Sequence, residues 1–213
     1  MPTACCRLAF HLKNLCCHTL ALLLLLMIVG GAQAETVPSA TPNAAPVAAS
    51  ATDHHTWLLI DSATATLSLM RGDKVLARYD DVAFGRLGTK PVHYKGDTST
   101  PTGEFRIDGI NHASQFHRFF SLNYPTEAHA KKALDQRRIT FEQYMEILKA
   151  EHAGRRPPYD TPLGGMIGIH GLGPVRLDLH RKYNWTRGCV ALDNGQIDAL
   201  TPHLYVGMRV VIR

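Results

Sequence analysis

The sequence predicts one mainly β domain of the α+β class, interrupted by a helical insertion and followed by a short C-terminal helix. Three observations carry this. Short segments rich in β-branched and aliphatic residues recur between turn residues from Thr56 to Ile110, the pattern of half-buried strands. The longer helical patterns fall in the middle of the chain, about residues 112–163. Apolar, strand-like runs then return around Ile169 and Val210.

Taken in order, the chain opens on a leader. Arg7, His11 and Lys13 precede an apolar run, "LALLLLLMIVG", and Ala32 and Ala34 form an A-x-A arrangement before Glu35. That is the pattern of a secretory signal peptide over residues 1–34. The run is shorter than the roughly 20 apolar residues a bilayer span needs, so a membrane association is expected only if the segment stays uncleaved. Export places the protein in the periplasm. Residues 35–54, rich in Pro, Ala, Ser and Thr, read as a flexible linker. Residues 55–213 are long enough to bury one core.

Within that domain, "TWLLID" and "ATLSLM" read as strands around a turn at Ser62-Ala63-Thr64. "RGD" turns the chain into "KVLARYDDVAFG". Apolar and polar residues alternate in "ATLSLM" and in this third segment, which predicts half-buried antiparallel strands. "TPTGEFRIDGI" supplies another strand. "TEAHAKKALDQRR" and "TFEQYMEILKAEHAG" are helical, the second with Thr140 as N-cap, Gly154 at its end and Phe141, Tyr144 and Leu148 on one face. "GGMIGIHG" returns to β, "NGQIDAL" is a short helix and "GMRVVIR" the last strand.

The formal charge is +5, and loss of Arg7 and Lys13 with the leader leaves +3. Basic residues fall in scattered pairs rather than a dense stripe, which argues against a nucleic-acid partner and suits an anionic polymer. The 12 histidines show no metal-ligand spacing, so no metal and no cofactor is expected.

Cysteine usage singles out one residue. Cys5, Cys6, Cys16 and Cys17 leave with the leader, so only Cys189 remains. A lone thiol in an exported protein is either a buried hydrophobe or a nucleophile. A nucleophile needs a base, oxyanion donors and access. Gly188 lets the backbone turn sharply, and the amides of Gly188 and Cys189 are the candidate donors. His170, at the end of an apolar strand and followed by Gly171, is the candidate base. His180 reads as a solvated loop residue, Trp185 as a core or groove ring, and Tyr94, Asp97 and Thr100 as turn formers.

"IHG", followed 19 residues after its histidine by the cysteine of "WTRGCVALDN", resembles the L,D-transpeptidase (YkuD-type) catalytic domain, in the branch with a WTxGCxAxxN motif. "GDTSTPTGEF" and the closing helix and strand resemble further segments of that family, over roughly residues 55–213. The resemblance implies a β-sandwich or barrel. It makes Cys189 the nucleophile, His170 the general base and Gly171 the carbonyl that orients the imidazole. Gly188 precedes the nucleophile and Thr186 matches the family's Ser/Thr position. Trp185, Thr186, Arg187 and Asn194 are candidate substrate contacts. Arg187 stands where the main signature has histidine, and Ala191 where many members have an arginine.

The implied reaction is acyl transfer on peptidoglycan stem peptides. The thiolate attacks the bond between the L-centre of a diamino acid and D-Ala. An amine, including that of a wall-attached lipoprotein, then resolves the thioester. Two alternatives stand beside this. One is a hydrolase of the same family, either an L,D-carboxypeptidase or an amidase releasing a wall-linked protein. The other is a wall-binding module without catalysis. A groove roofed by the helical insertion is expected to decide between amine and water.

Overall fold

A computed structural model describes residues 55–213, so the signal peptide and linker expected over residues 1–54 lie outside the described residues. β1 (Thr56–Asp61) alternates buried and half-buried residues, as its apolar spacing requires. It pairs antiparallel with β2 (Thr66–Arg71) and parallel with the last strand, β10 (Arg209–Ile212). β10 in turn runs antiparallel to β6 (Gly103–Ser114), and β6 to β7 (His117–Leu122). The sheet continues through β8 (Gly168–His170) to β9 (Val190–Ala191), which is parallel to β8. On the other flank β3 (Lys74–Tyr79) pairs with β2, giving eight strands in the order β3-β2-β1-β10-β6-β7-β8-β9. β4 (Thr89–Lys90) and β5 (Thr100–Pro101) form a separate two-stranded ribbon.

The expectation of a mainly β fold holds, with one mixed sheet that does not close into a barrel. The alternation expected of the second and third strands does not hold. β2 is buried at five consecutive positions because it is an inner strand, whereas β3 is an edge with its side chains mostly in solvent. The chain beyond β3 then crosses to the other end of the sheet. Ala83 bridges Ala191 and Gly85 bridges Thr186, so this segment flanks β9. Phe105, Ile107, Phe120, Ile169 and Val190 are at most 1% exposed at the centre of the core; each contributes about 1.5–3 kcal/mol by leaving water.

The expected helical insertion is narrower than residues 112–163. Its first part belongs to the β6–β7 hairpin, and the helices are α1 (Glu127–Asp135) and α2 (Phe141–His152). α2 begins with a capping box in which Thr140 accepts from the Gln143 N–H, and Gly154 follows its end at φ +61°. Its buried face is Ile147 and Ala150, while Phe141 is 61% exposed. Tyr144 and Leu148 are half-buried beside that face, and the Tyr144 hydroxyl donates to Glu127 of α1 at 3.4 Å. α1 is keyed to the sheet by His129, whose Nε2 donates to the Thr102 carbonyl (3.0 Å) and whose Nδ1 accepts from the Thr126 hydroxyl (2.7 Å). Two short helices close the domain: α3 (Leu177–His180) and α4 (Asn194–Leu200).

Candidate active site

His170 ends β8, and its register partner on β9 is Ala191. Partners in a parallel pair face the same side of the sheet, and so does Cys189, two residues before Ala191. The parallel pairing therefore brings the two residues singled out in the sequence to one face. Both line a cavity of about 390 Å³, together with Arg86, Phe116, Phe119, Met166, Trp185, Thr186 and Arg187. Ala191 is fully buried, and its N–H and C=O both bond to Ala83. No cation reaches the site from that position; Arg86 and Arg187 stand at the cavity instead.

The imidazole of His170 is fixed in position and tautomer. Nδ1 lies 2.6 Å from the Gly171 carbonyl. A carbonyl only accepts, so Nδ1 carries the proton and Nε2 keeps the lone pair. Gly171 is required by packing: a Cβ there would lie 2.7 Å from Asn194 Oδ1 and 2.8 Å from the Phe116 carbonyl. Asn194 itself accepts from the Leu172 N–H (2.8 Å) and is outside the cavity lining, so its side chain holds the turn behind His170. Three aromatic rings surround the imidazole: Phe116 stacked at 4.5 Å, Phe119 at 6.0 Å and Trp185 edge-on at 5.6 Å. Burial among them pushes the His170 pKa down to about 4, against the opposing Gly171 bond.

Cys189 is only partly covered on its cavity side. Its Sγ–H donates to the Met166 carbonyl at 3.4 Å. Met166 holds φ +60°, an uncommon conformation for a residue with a side chain, and it turns that carbonyl toward the sulfur. Protein packed around the sulfur pushes the thiol up to about 11, partly offset by the Gly168 N–H. At neutral pH the pair is thus a neutral thiol and a neutral imidazole.

Gly188 has φ +133°, and a Cβ there would lie 2.9 Å from both the Ser99 carbonyl and Ile167 Cδ1. Only glycine fits between the cysteine and the loop before β5. The Gly188 N–H, one of two expected oxyanion donors, donates instead to Thr186 Oγ1 (3.1 Å). The Thr186 hydroxyl donates in turn to the Cys189 carbonyl at 2.7 Å. The hydroxyl of Thr100 reaches the same carbonyl at 3.4 Å and accepts from the Gly85 N–H at 2.8 Å. The Cys189 N–H has no hydrogen-bond partner among the described residues, which leaves it open to a ligand oxygen.

Two expectations for neighbouring residues change. His180, read as a solvated loop residue, is 3% exposed and accepts the Trp185 indole N–H at 3.2 Å, which sets the ring that packs on His170. Thr100, read as a turn former, supports the nucleophile's backbone. Phe116, Phe119, Met166 and Arg86 carry no signal in the sequence, because only the pairing of β7 with β8 and the crossing after β3 bring them here.

A second cavity, of about 540 Å³, adjoins the first and shares Arg86, Met166 and Arg187 with it. His93, Lys95, Gly96, Thr98, Tyr159, Gly164 and Gly165 complete its lining. The helices of the insertion line neither cavity. The segment after them, from Tyr159 to Met166, does.

A family model described as the YkuD L,D-transpeptidase catalytic domain matches residues 55–212. No curated protein matches the chain. Among solved structures, the helical cell shape determining protein Pgp2 from Campylobacter jejuni is similar, at 19% identity and a TM-score of 0.49 over 74% of this chain and 47% of that one. Bd1075 from Bdellovibrio bacteriovorus gives 16%, 0.45, 75% and 47%. An L,D-transpeptidase from Mycobacterium smegmatis gives 13%, 0.41, 75% and 58%. The chain thus spans about half the length of these proteins.

Proposed function

Because the chain belongs to the YkuD family of L,D-transpeptidase catalytic domains, we propose that it is a cysteine acyltransferase acting on peptidoglycan stem peptides. Cys189 is the nucleophile and His170 its base. Since both groups are neutral at rest, the thiol proton passes to His170 Nε2 as Sγ attacks the carbonyl joining the diamino acid's L-centre to D-Ala. The Cys189 N–H meets the oxyanion. The C–N bond breaks, D-Ala leaves with the proton from His170, and the acyl group remains as a thioester. An acceptor amine then takes the acyl group. In the cell this takes place in the periplasm, with a stem peptide or a wall-attached lipoprotein as acceptor.

The observation that supports transfer is the pair of cavities meeting beside Cys189. One holds the base in an apolar wall, and the other is cationic and large enough for a second peptide end. Incubating the purified protein with disaccharide tetrapeptide tests the reading. Cross-linked dimers are expected, and Cys189→Ala should make none. Tripeptide alone would place the protein among the hydrolases of the family, and no product from either route would contradict the proposal.

A further inference from the structure

The cationic cavity holds a second histidine that acylation leaves idle. His93 is 5% exposed, and its Nδ1 lies 2.7 Å from the Ser99 carbonyl and 2.9 Å from Asp97 Oδ1. Both partners only accept, so Nδ1 is the donor and Nε2 is the nitrogen left to take up a proton. Nε2 has no hydrogen-bond partner among the described residues, and the ring lines the cavity. Asp97 is itself anchored by the Ser99 N–H (2.9 Å), the Ser99 hydroxyl (2.8 Å) and the Tyr94 N–H (3.1 Å). Burial works against its charge, yet these bonds hold the carboxyl below its usual range. The imidazole also abuts the nucleophile's own turn, since a Cβ on Gly188 would lie 3.2 Å from His93 Cε1.

A carboxylate on Nδ1 and an open Nε2 is the arrangement that makes a histidine a general base. Arg86, Lys95 and Arg187 ring the same cavity without an ion pair among the described residues, and no carboxylate lines it. The cavity therefore suits an acceptor that carries both a nucleophilic amine and a carboxylate, as the side-chain end of a diamino diacid in a stem peptide does.

We propose that His93, oriented by Asp97, is a second general base that serves the acceptor, while His170 serves the donor. The inference rests on the thioester reading above. In the second half-reaction the acceptor amine attacks the thioester carbonyl and gives one proton to His93 Nε2. The new C–N bond forms, the C–S bond breaks, and Sγ leaves as the thiolate. His93 then releases its proton to water, and the thiolate recovers one.

The test separates the two half-reactions in His93→Gln, using disaccharide tetrapeptide as donor and acceptor. D-Ala release in the first turnover should keep its wild-type rate. Steady-state turnover should fall about 10²-fold or more, and the thioester should accumulate on Cys189 by intact mass. In His93→Ala, added imidazole should restore turnover without changing the first D-Ala release. Unchanged turnover with no accumulated thioester, a first-turnover defect as large as the steady-state one, or no response to imidazole would each overturn the assignment of His93. If wild-type protein releases no D-Ala and carries no thioester, the failure lies in the acyltransfer reading instead.

Discussion

The two cavities beside Cys189 share three residues and differ in almost everything else. The first wraps His170 in Phe116, Phe119 and Trp185 and lowers its pKa to about 4. The second adds Lys95 and polar loops to the shared Arg86 and Arg187, around His93, whose Nδ1 faces a carboxylate. Desolvation makes the first a place where a proton moves only when a bond forms with it. Fixed positive charge makes the second a place where an anionic group is held. On the reading proposed above, these two environments divide the work on one thiol, the apolar one serving the donor and the cationic one the acceptor.

The largest expected effect is in the apolar cavity. His170→Gln keeps a hydrogen-bonding side chain but loses the base, and should slow first-turnover D-Ala release by about 10²–10⁴-fold. Stopped-flow or quenched release assays read this directly. Loss confined to later turnovers would break the division between the cavities.

Acid stability comes next. The folded-state pKa of His170 lies near 4, below its ordinary 6.5, and burial places His129 there too. The unfolded chain therefore binds protons first. The stabilisation is complete above pH 6.5, is lost as the pH falls toward 4, and is then constant. Each group withdraws about 3 kcal/mol over that window. Urea unfolding at pH 7 and pH 4.5 should show the fall, and His129→Gln should reduce the slope with pH.

The smallest effect sharpens the cationic side. Arg86→Ala and Arg187→Ala remove exposed charges, and each should raise the KM for the acceptor about 2- to 5-fold. kcat should be nearly unchanged, and the wild-type KM should rise with salt. A change in kcat alone would place these residues on the reacting atoms rather than on the bound carboxylate.

Much of this was legible in the chain. The first strand and the Thr140 cap follow from periodicity and capping chemistry, while the pairing of Cys189 with His170 comes from the resemblance to the L,D-transpeptidase family. What was not legible depends on register and crossing. No local pattern says that β2 becomes an inner strand. None says that Arg86 is carried to β9 by the bridges at Ala83 and Gly85. Asp97 reads as a turn former, and it is one, but that the Oδ1 accepting from Ser99 also meets His93 Nδ1 is known only from the folded loop.

The most direct test of the central claim is mass mapping of the trapped intermediate. Wild-type protein mixed with disaccharide tetrapeptide and quenched in acid within the first turnover should carry the acyl fragment, less D-Ala, on the peptide containing Cys189. Cys189→Ala should carry none. Product formation with no adduct on that peptide, or an adduct that survives Cys189→Ala, would contradict the account.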